Sequence, residues 1–126
     1  MDEENKTTLS FDNLNLKDNL LRGIYSYGFE NPSKIQSLAV PKIVEGKDLI
    51  AQAHSGTGKT GAFSIGCLQK LEEDKKESQI LIISPTHELV HQTSEVIKEI
   101  SKHLDISFME VIGGTNVAEC RRELDK

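Results

Sequence analysis

Ala53-His54-Ser55-Gly56-Thr57-Gly58-Lys59-Thr60 lies between a short apolar run, residues 48–52, and a helix-compatible segment, residues 61–71. Strand, glycine-rich turn, Lys-Thr and helix, in that order, form a cradle for a nucleotide triphosphate. Gly56 and Gly58 free the backbone to curl, so that successive N–H groups face phosphate oxygens. A helix starting near Lys59 adds its unsatisfied N–H groups and the positive end of its dipole. Lys59 then reaches the β- and γ-phosphates as a point charge, and the Thr60 hydroxyl ligates Mg²⁺. These two are the catalytic candidates, with Ala53, His54, Ser55, Gly56, Thr57 and Gly58 completing the nucleotide-binding loop. The general pattern opens with Gly; Ala53 takes that place here, and the rest fits.

A dinucleotide fingerprint also matches, as Gly56-x-Gly58-x-x-Gly61. It fails on its second requirement, an acidic residue at the end of the next strand to hold a ribose. That strand, residues 79–84, ends at Ser84.

At 126 residues the chain is one domain or part of one. Its net charge of −5 does not advertise a nucleic-acid binder, so any RNA contact must come from a local site. No apolar run approaches a membrane span, and no membrane partner is expected. Cys67 and Cys120 are far apart with no C-x-x-C pair, which fits free thiols in a reducing compartment better than a disulfide scaffold.

Leu16, Leu20, Leu21, Ile24 and Tyr27 recur at helical spacing, with Asn15 a candidate N-cap and Gly28 a candidate stop; Gly23 weakens that helix. A second helix runs from about Ser33 to Ala39, and Pro41 is expected to break or kink it. Residues 79–84 form a continuous apolar strand, expected to be buried on both faces as in a parallel sheet. Thr86 caps a helix to about His103, residues 107–111 form a third strand, and a last helix begins near Asn116. Strands alternating with helices predict an α/β fold, a parallel sheet with flanking helices. Residues 1–9 are expected to be a disordered tail.

Gly28-Phe29-Glu30-Asn31-Pro32-Ser33-Lys34-Ile35-Gln36 resembles the Q motif of DEAD-box RNA helicases, and Phe11 stands where that motif carries an upstream aromatic residue. The phosphate loop is similar to the same family's motif I. Pro85-Thr86-His87-Glu88-Leu89-Val90 resembles its motif Ia, and Ile112-Gly113-Gly114-Thr115 its glycine pair. The four motifs occur in family order over nearly the whole chain, with the nearest resemblance to the translation initiation factor 4A branch.

The resemblance implies a partial RecA-like P-loop domain, ATP and Mg²⁺ as cofactors, and RNA as partner. It also implies a cytoplasmic monomer recruited by a translation-initiation scaffold protein. Phe11, Phe29, Asn31 and Gln36 would join the loop in holding ATP. The physics of Gln36 stands alone: its amide carries a donor and an acceptor side by side, matching adenine N6–H and N7 but not guanine. An aromatic face such as Phe29 can stack on the base. The resemblance assigns Pro85, Thr86, His87, Gly113, Gly114 and Thr115 to the RNA backbone. Small residues and helix-start N–H groups suit such contacts. The family carries Arg where this chain has His87, so a permanent charge and a forked donor are lost.

That substitution creates a rival. His87-Glu88-Leu89-Val90-His91 matches the H-E-x-x-H signature of zinc peptidases, with Glu110 or Glu119 as a conceivable third ligand. The family's Asp-Glu-Ala-Asp motif does not occur in these 126 residues. Residues 10–126 are therefore expected to be the N-terminal part of the first RecA-like domain, truncated before the acidic motif and non-hydrolytic alone. A non-catalytic nucleotide- or partner-binding module is the other rival.

Overall fold

The computed structural model of the chain describes residues 10–114 and 116–125; the tail expected over 1–9 and the glycine-pair neighbour Thr115 lie outside them. Among the described residues, a 3-10 turn, Phe11–Leu14, precedes five helices. These are α1 (Asp18–Tyr27), α2 (Lys34–Val44), α3 (Lys59–Lys70), α4 (His87–Ile100) and α5 (Val117–Leu124).

Local signals set most of the boundaries. Gly28, at φ 110°, closes α1 by sending its N–H to the Ile24 and Tyr25 carbonyls. Ser33 opens α2 with a reciprocal capping box to Gln36. The Thr86 hydroxyl accepts the Leu89 N–H at 3.1 Å to open α4, and the Asn116 carboxamide accepts the Ala118 and Glu119 N–H groups to open α5.

Two local expectations are corrected. Asn15 is not the cap of α1; it ends the 3-10 turn in the left-handed region at φ 55°, and Lys17 stands at the N-cap without a side-chain bond. Asn tolerates that backbone region better than most residues, which is why a capping residue is also a good turn residue. Pro41 does not break α2, which runs on through it to Val44. Ala39 and Val40 are buried on the face that packs against α3, and this burial carries the helix past the missing N–H.

The core is helical: Phe11, Leu16, Leu20, Ile24, Val40, Ile65, Leu68, Ile100 and Leu104 form one buried cluster. Lys17 fastens the start of α1 to the end of α3. Its N–H donates to Gln69 Oε1 at 2.8 Å, and its ammonium group donates to the Leu68 and Leu71 carbonyls. A cation at a helix C-terminus meets both free carbonyls and the negative end of the dipole.

The sheet differs from expectation. Among the described residues, 48–52, 79–84 and 107–111 carry no strand ladder. Residues 79–84 are not buried on both faces: Leu81 and Ile83 are 84% and 85% exposed, while Ile80, Ile82 and Ser84 are half-buried. The alternation is a strand's, with one face covered. The second face and the backbone edges need neighbouring strands, and these three segments do not pair with one another.

Candidate nucleotide and RNA-backbone sites

The phosphate loop is shaped by two glycines in the left-handed region, Gly56 at φ 82° and Gly58 at φ 92°. Gly58 is the N-cap of α3, so Lys59 and Thr60 are its first helical residues, where the sequence places them. The Thr57 hydroxyl donates to the His54 carbonyl at 2.6 Å and closes the loop on itself. A Cβ added to Gly56 would meet nothing within 4 Å, so that side of the loop is open to an oxyanion. His54, Ser55, Gly56 and Lys59 are exposed, and Ala53, Thr57, Gly58 and Thr60 are half-buried. Free helix-start N–H groups, an exposed ammonium group and an open glycine turn fit a polyphosphate.

Gln36 lies beneath this loop at 2% exposure. Its Oε1 accepts the Ser33 N–H at 3.0 Å, and its Nε2 donates to the Gly58 carbonyl at 3.2 Å. One side chain thus caps α2 and braces the phosphate loop, leaving one amide N–H and one lone pair for a ligand. The sequence reading missed the bracing and missed Ser33, although Ser33-x-x-Gln36 is a legible capping box.

Phe29 is half-buried, 4.8 Å from the Tyr27 ring and 6.2 Å from the Phe11 ring, and a Cβ on Gly61 would come within 3.2 Å of its edge. Phe11, expected at the base, is wholly buried and reaches the site only through Phe29. Asn31 is exposed on the turn between them and α2.

A cleft of about 820 Å³ opens on the other side of Thr60, against α4. Glu88 and Glu95 line it. Two carboxylates give it the wrong sign for phosphates, whereas the loop carries the Lys59 ammonium group.

Pro85, Thr86 and His87 are exposed at the start of α4. A Cβ on Gly113 would lie 3.6 Å from His87 Nε2, so the fold brings motif Ia and the glycine pair together. Gly114 follows at φ 94°. His91 Nδ1 stands 2.8 Å from Glu110 Oε2, tying α4 to the segment that leads into the glycine pair.

This arrangement corrects the zinc reading. Among the described residues no three His, Cys, Asp or Glu side chains gather as a metal site, and His91 is committed to Glu110. The Ser94 hydroxyl first, then the His91 imidazole, hold the Glu110 carboxyl below the usual carboxylate range. A depressed carboxylate stabilises the fold above its ordinary pKa, and that contribution is lost as pH falls through the folded value. The Glu110 side chain is therefore expected to titrate below the value of an unperturbed glutamate by carbon NMR. A midpoint at or above that value would show that the tie is not formed in solution.

The DEAD/DEAH box helicase family matches residues 33–126. The chain belongs to that family. It is 48% identical over 121 residues to the ATP-dependent RNA helicase FAL1 of Saccharomyces cerevisiae, covering 96% of this chain and 30% of that one. It is 54% identical over 110 residues to the ATP-dependent RNA helicase eIF4A of Yarrowia lipolytica, covering 87% of this chain and 28% of that one. Among solved structures, a DEAD box protein from Methanococcus jannaschii superposes with a TM-score of 0.78 at 30% identity, covering 92% of this chain and 32% of that one. Dbp5 of S. cerevisiae bound to RNA and ADP BeF3 does so at 0.76 and 33%, covering 91% and 34%. The helicase domains to which it is similar are RecA-like, and that is the fold class of this chain. It spans about a third of the length of these relatives.

Proposed function

We propose that this chain is the nucleotide-gripping part of an ATP-dependent RNA helicase of the initiation factor 4A and FAL1 type. The observation that carries the reading is Gln36, held by the Gly58 carbonyl: the residue that would read adenine and the loop that would hold phosphates are one hydrogen-bonded unit. Phe29, supported by Phe11 and Tyr27, would offer a ring to the base. Lys59 and the first N–H groups of α3 would bind the β- and γ-phosphates. Thr60 would supply the hydroxyl for Mg²⁺, which when bound neutralises phosphate charge. Pro85, Thr86, His87 and the Gly113–Gly114 pair would contact the RNA backbone without reading sequence; Thr115 belongs to that set by resemblance.

A translation-initiation role in the cytoplasm, with a scaffold partner, is the part of this proposal that rests on resemblance alone. The relative named eIF4A supports it, while the FAL1 relatives leave the pathway open.

The test is a titration of the purified chain with a fluorescent adenine nucleotide and Mg²⁺, displaced by ATP or by GTP. Displacement by ATP over GTP is expected. Lys59→Ala should weaken both by about tenfold or more, the scale of a charge-assisted phosphate contact. Gln36→Ala should reduce the preference for ATP in addition to any common loss. Equal displacement by ATP and GTP in the unmodified chain would remove the adenine site from the proposal. ATP turnover by the chain alone is expected to be undetectable, because phosphoryl transfer needs metal, water positioning and charge stabilisation together.

A further inference from the structure

Phe29 has its backbone fixed and its ring left to packing. Its N–H donates to the Ile24 carbonyl at 3.3 Å, at the end of α1. Its ring is set by Tyr27 at 4.8 Å, by Phe11 at 6.2 Å and by Gly61, which has no Cβ to push it away. Phe11 comes from the four-residue 3-10 turn, Phe11–Leu14. The hydrogen bonds of such a turn are poorly aligned, so it depends on other contacts for its position.

Tyr25 reaches across from α1 and holds that turn. Its hydroxyl donates to Asp12 Oδ1 at 3.0 Å, and Ser10 Oγ lies 3.5 Å from the same phenol oxygen. Ser10 Oγ in turn accepts the Asp12 N–H at 3.2 Å and caps the turn. The phenol thus meets both chain neighbours of Phe11, and its ring meets the Phe11 ring edge-on, with centroids 6.2 Å apart and planes at 76°. A bond from a phenol to a carboxylate is charge-assisted, and so stronger than a neutral one.

We infer that Tyr25 is a positioning residue for the nucleotide base: it latches the turn at residues 10–14 so that Phe11 backs the Phe29 ring on which the base would stack. The inference rests on the nucleotide reading above and extends it to a residue outside the loop. If Tyr25 were only an outer fastening of the fold, its loss would lower stability and leave the base contact as it was. Phe11 argues for more than that. It is wholly buried and lies against Phe29, so a displaced turn is felt at the ring. A ring face stacks on any base. The latch therefore bears on how tightly a base is held, while Gln36 bears on which one.

The experiment displaces a fluorescent adenine nucleotide from the purified chain with ATP, GTP or inorganic tripolyphosphate, in the presence of Mg²⁺. Tyr25→Phe, which keeps the ring and removes the latch, is compared with the unmodified chain. ATP and GTP should both weaken by about threefold or more, the scale of one lost hydrogen bond, and tripolyphosphate should be unchanged. Hydrogen exchange at the Asp12 and Asn13 amides, which bond to Ser10, should quicken by about threefold or more while the helical circular dichroism stays the same. Asp12→Ala should act like Tyr25→Phe, and Asp12→Asn, which keeps an acceptor, should recover most of the loss. The double variant Tyr25→Phe with Asp12→Ala should bind no more weakly than either single one. Equal weakening of all three ligands, an unchanged affinity for ATP, or losses that add in the double variant overturn the inference and leave the nucleotide reading standing. An unmodified chain that takes up no nucleotide overturns both.

Discussion

Gly23→Ala is expected to lower the thermal midpoint of the chain by more than any other single-methyl change, although helix propensity alone favours alanine by about 1 kcal/mol. Gly23 is buried in the middle of α1 where that helix meets the end of α4. A Cβ there would sit 1.9 Å from the Ile100 carbonyl oxygen and 2.6 Å from its carbon. Both atoms are backbone, so no rotamer change can relieve the clash; the helices must part. Ile24 and Ile100, fully buried at the same contact, would lose packing with them. Overpacking of this kind costs about 1–3 kcal/mol and more when the neighbour cannot yield, which places Gly23→Ala at about 3 kcal/mol or above. For a chain of this size the midpoint should fall by roughly 10 °C or more, followed by circular dichroism. Ser26→Ala, on the exposed side of the same helix, is the control and should leave the midpoint unchanged or slightly raised. A rise in Gly23→Ala would mean that α1 and α4 do not meet as closely in solution.

Gly23 also marks the limit of what spacing can show. In the sequence it reads as a flaw in an otherwise regular helix; in the fold it is the point of closest approach. Features set by a few neighbouring residues were legible: the Gly28 stop, the Thr86 cap, the starts of α3 at Lys59 and of α5 near Asn116, and the loop itself. Features set by distant partners were not. Pro41 survives inside α2 because Ala39 and Val40 are buried on the side that meets α3. Phe11, assigned to the nucleotide site by resemblance, is wholly buried against Tyr25 and Phe29, a placement that spacing along the chain does not show. The apolar run at 79–84 could not reveal that one face is bare, because burial is decided by residues distant in sequence, and among the described residues Leu81 and Ile83 stay exposed.

Gly58→Ala is expected to be the most damaging single change in the site, and to damage it in a way that Lys59→Ala does not. Gly58 combines two constraints. Its φ of 92° is a backbone region that costs an L-residue about 1–2 kcal/mol. Its missing Cβ also leaves room for Gln36, whose Nε2 would lie 2.6 Å from the new atom, with Ser33 Oγ at 3.0 Å. The side chain that must yield is the one that caps α2 and holds the Gly58 carbonyl. Pushing it aside leaves the Ser33 N–H and the Gly58 carbonyl without that partner, at about 0.5–1.5 kcal/mol for each half-buried group.

Lys59→Ala removes charge from an intact cradle, so affinity falls while the fold and the ATP preference survive. Gly58→Ala deforms the cradle and unseats the adenine reader together. Nucleotide affinity should fall by about a hundredfold, the preference for ATP over GTP should disappear, and the thermal midpoint should drop as well. Gly56→Ala separates the two constraints: it has a similar φ of 82° but an open surrounding, so it should cost backbone strain and leave the preference for ATP in place. If Gly58→Ala lowered affinity but kept discrimination, Gln36 would not be reading the base, and the contact between Gln36 and Gly58 would be a brace for α2 and the loop alone.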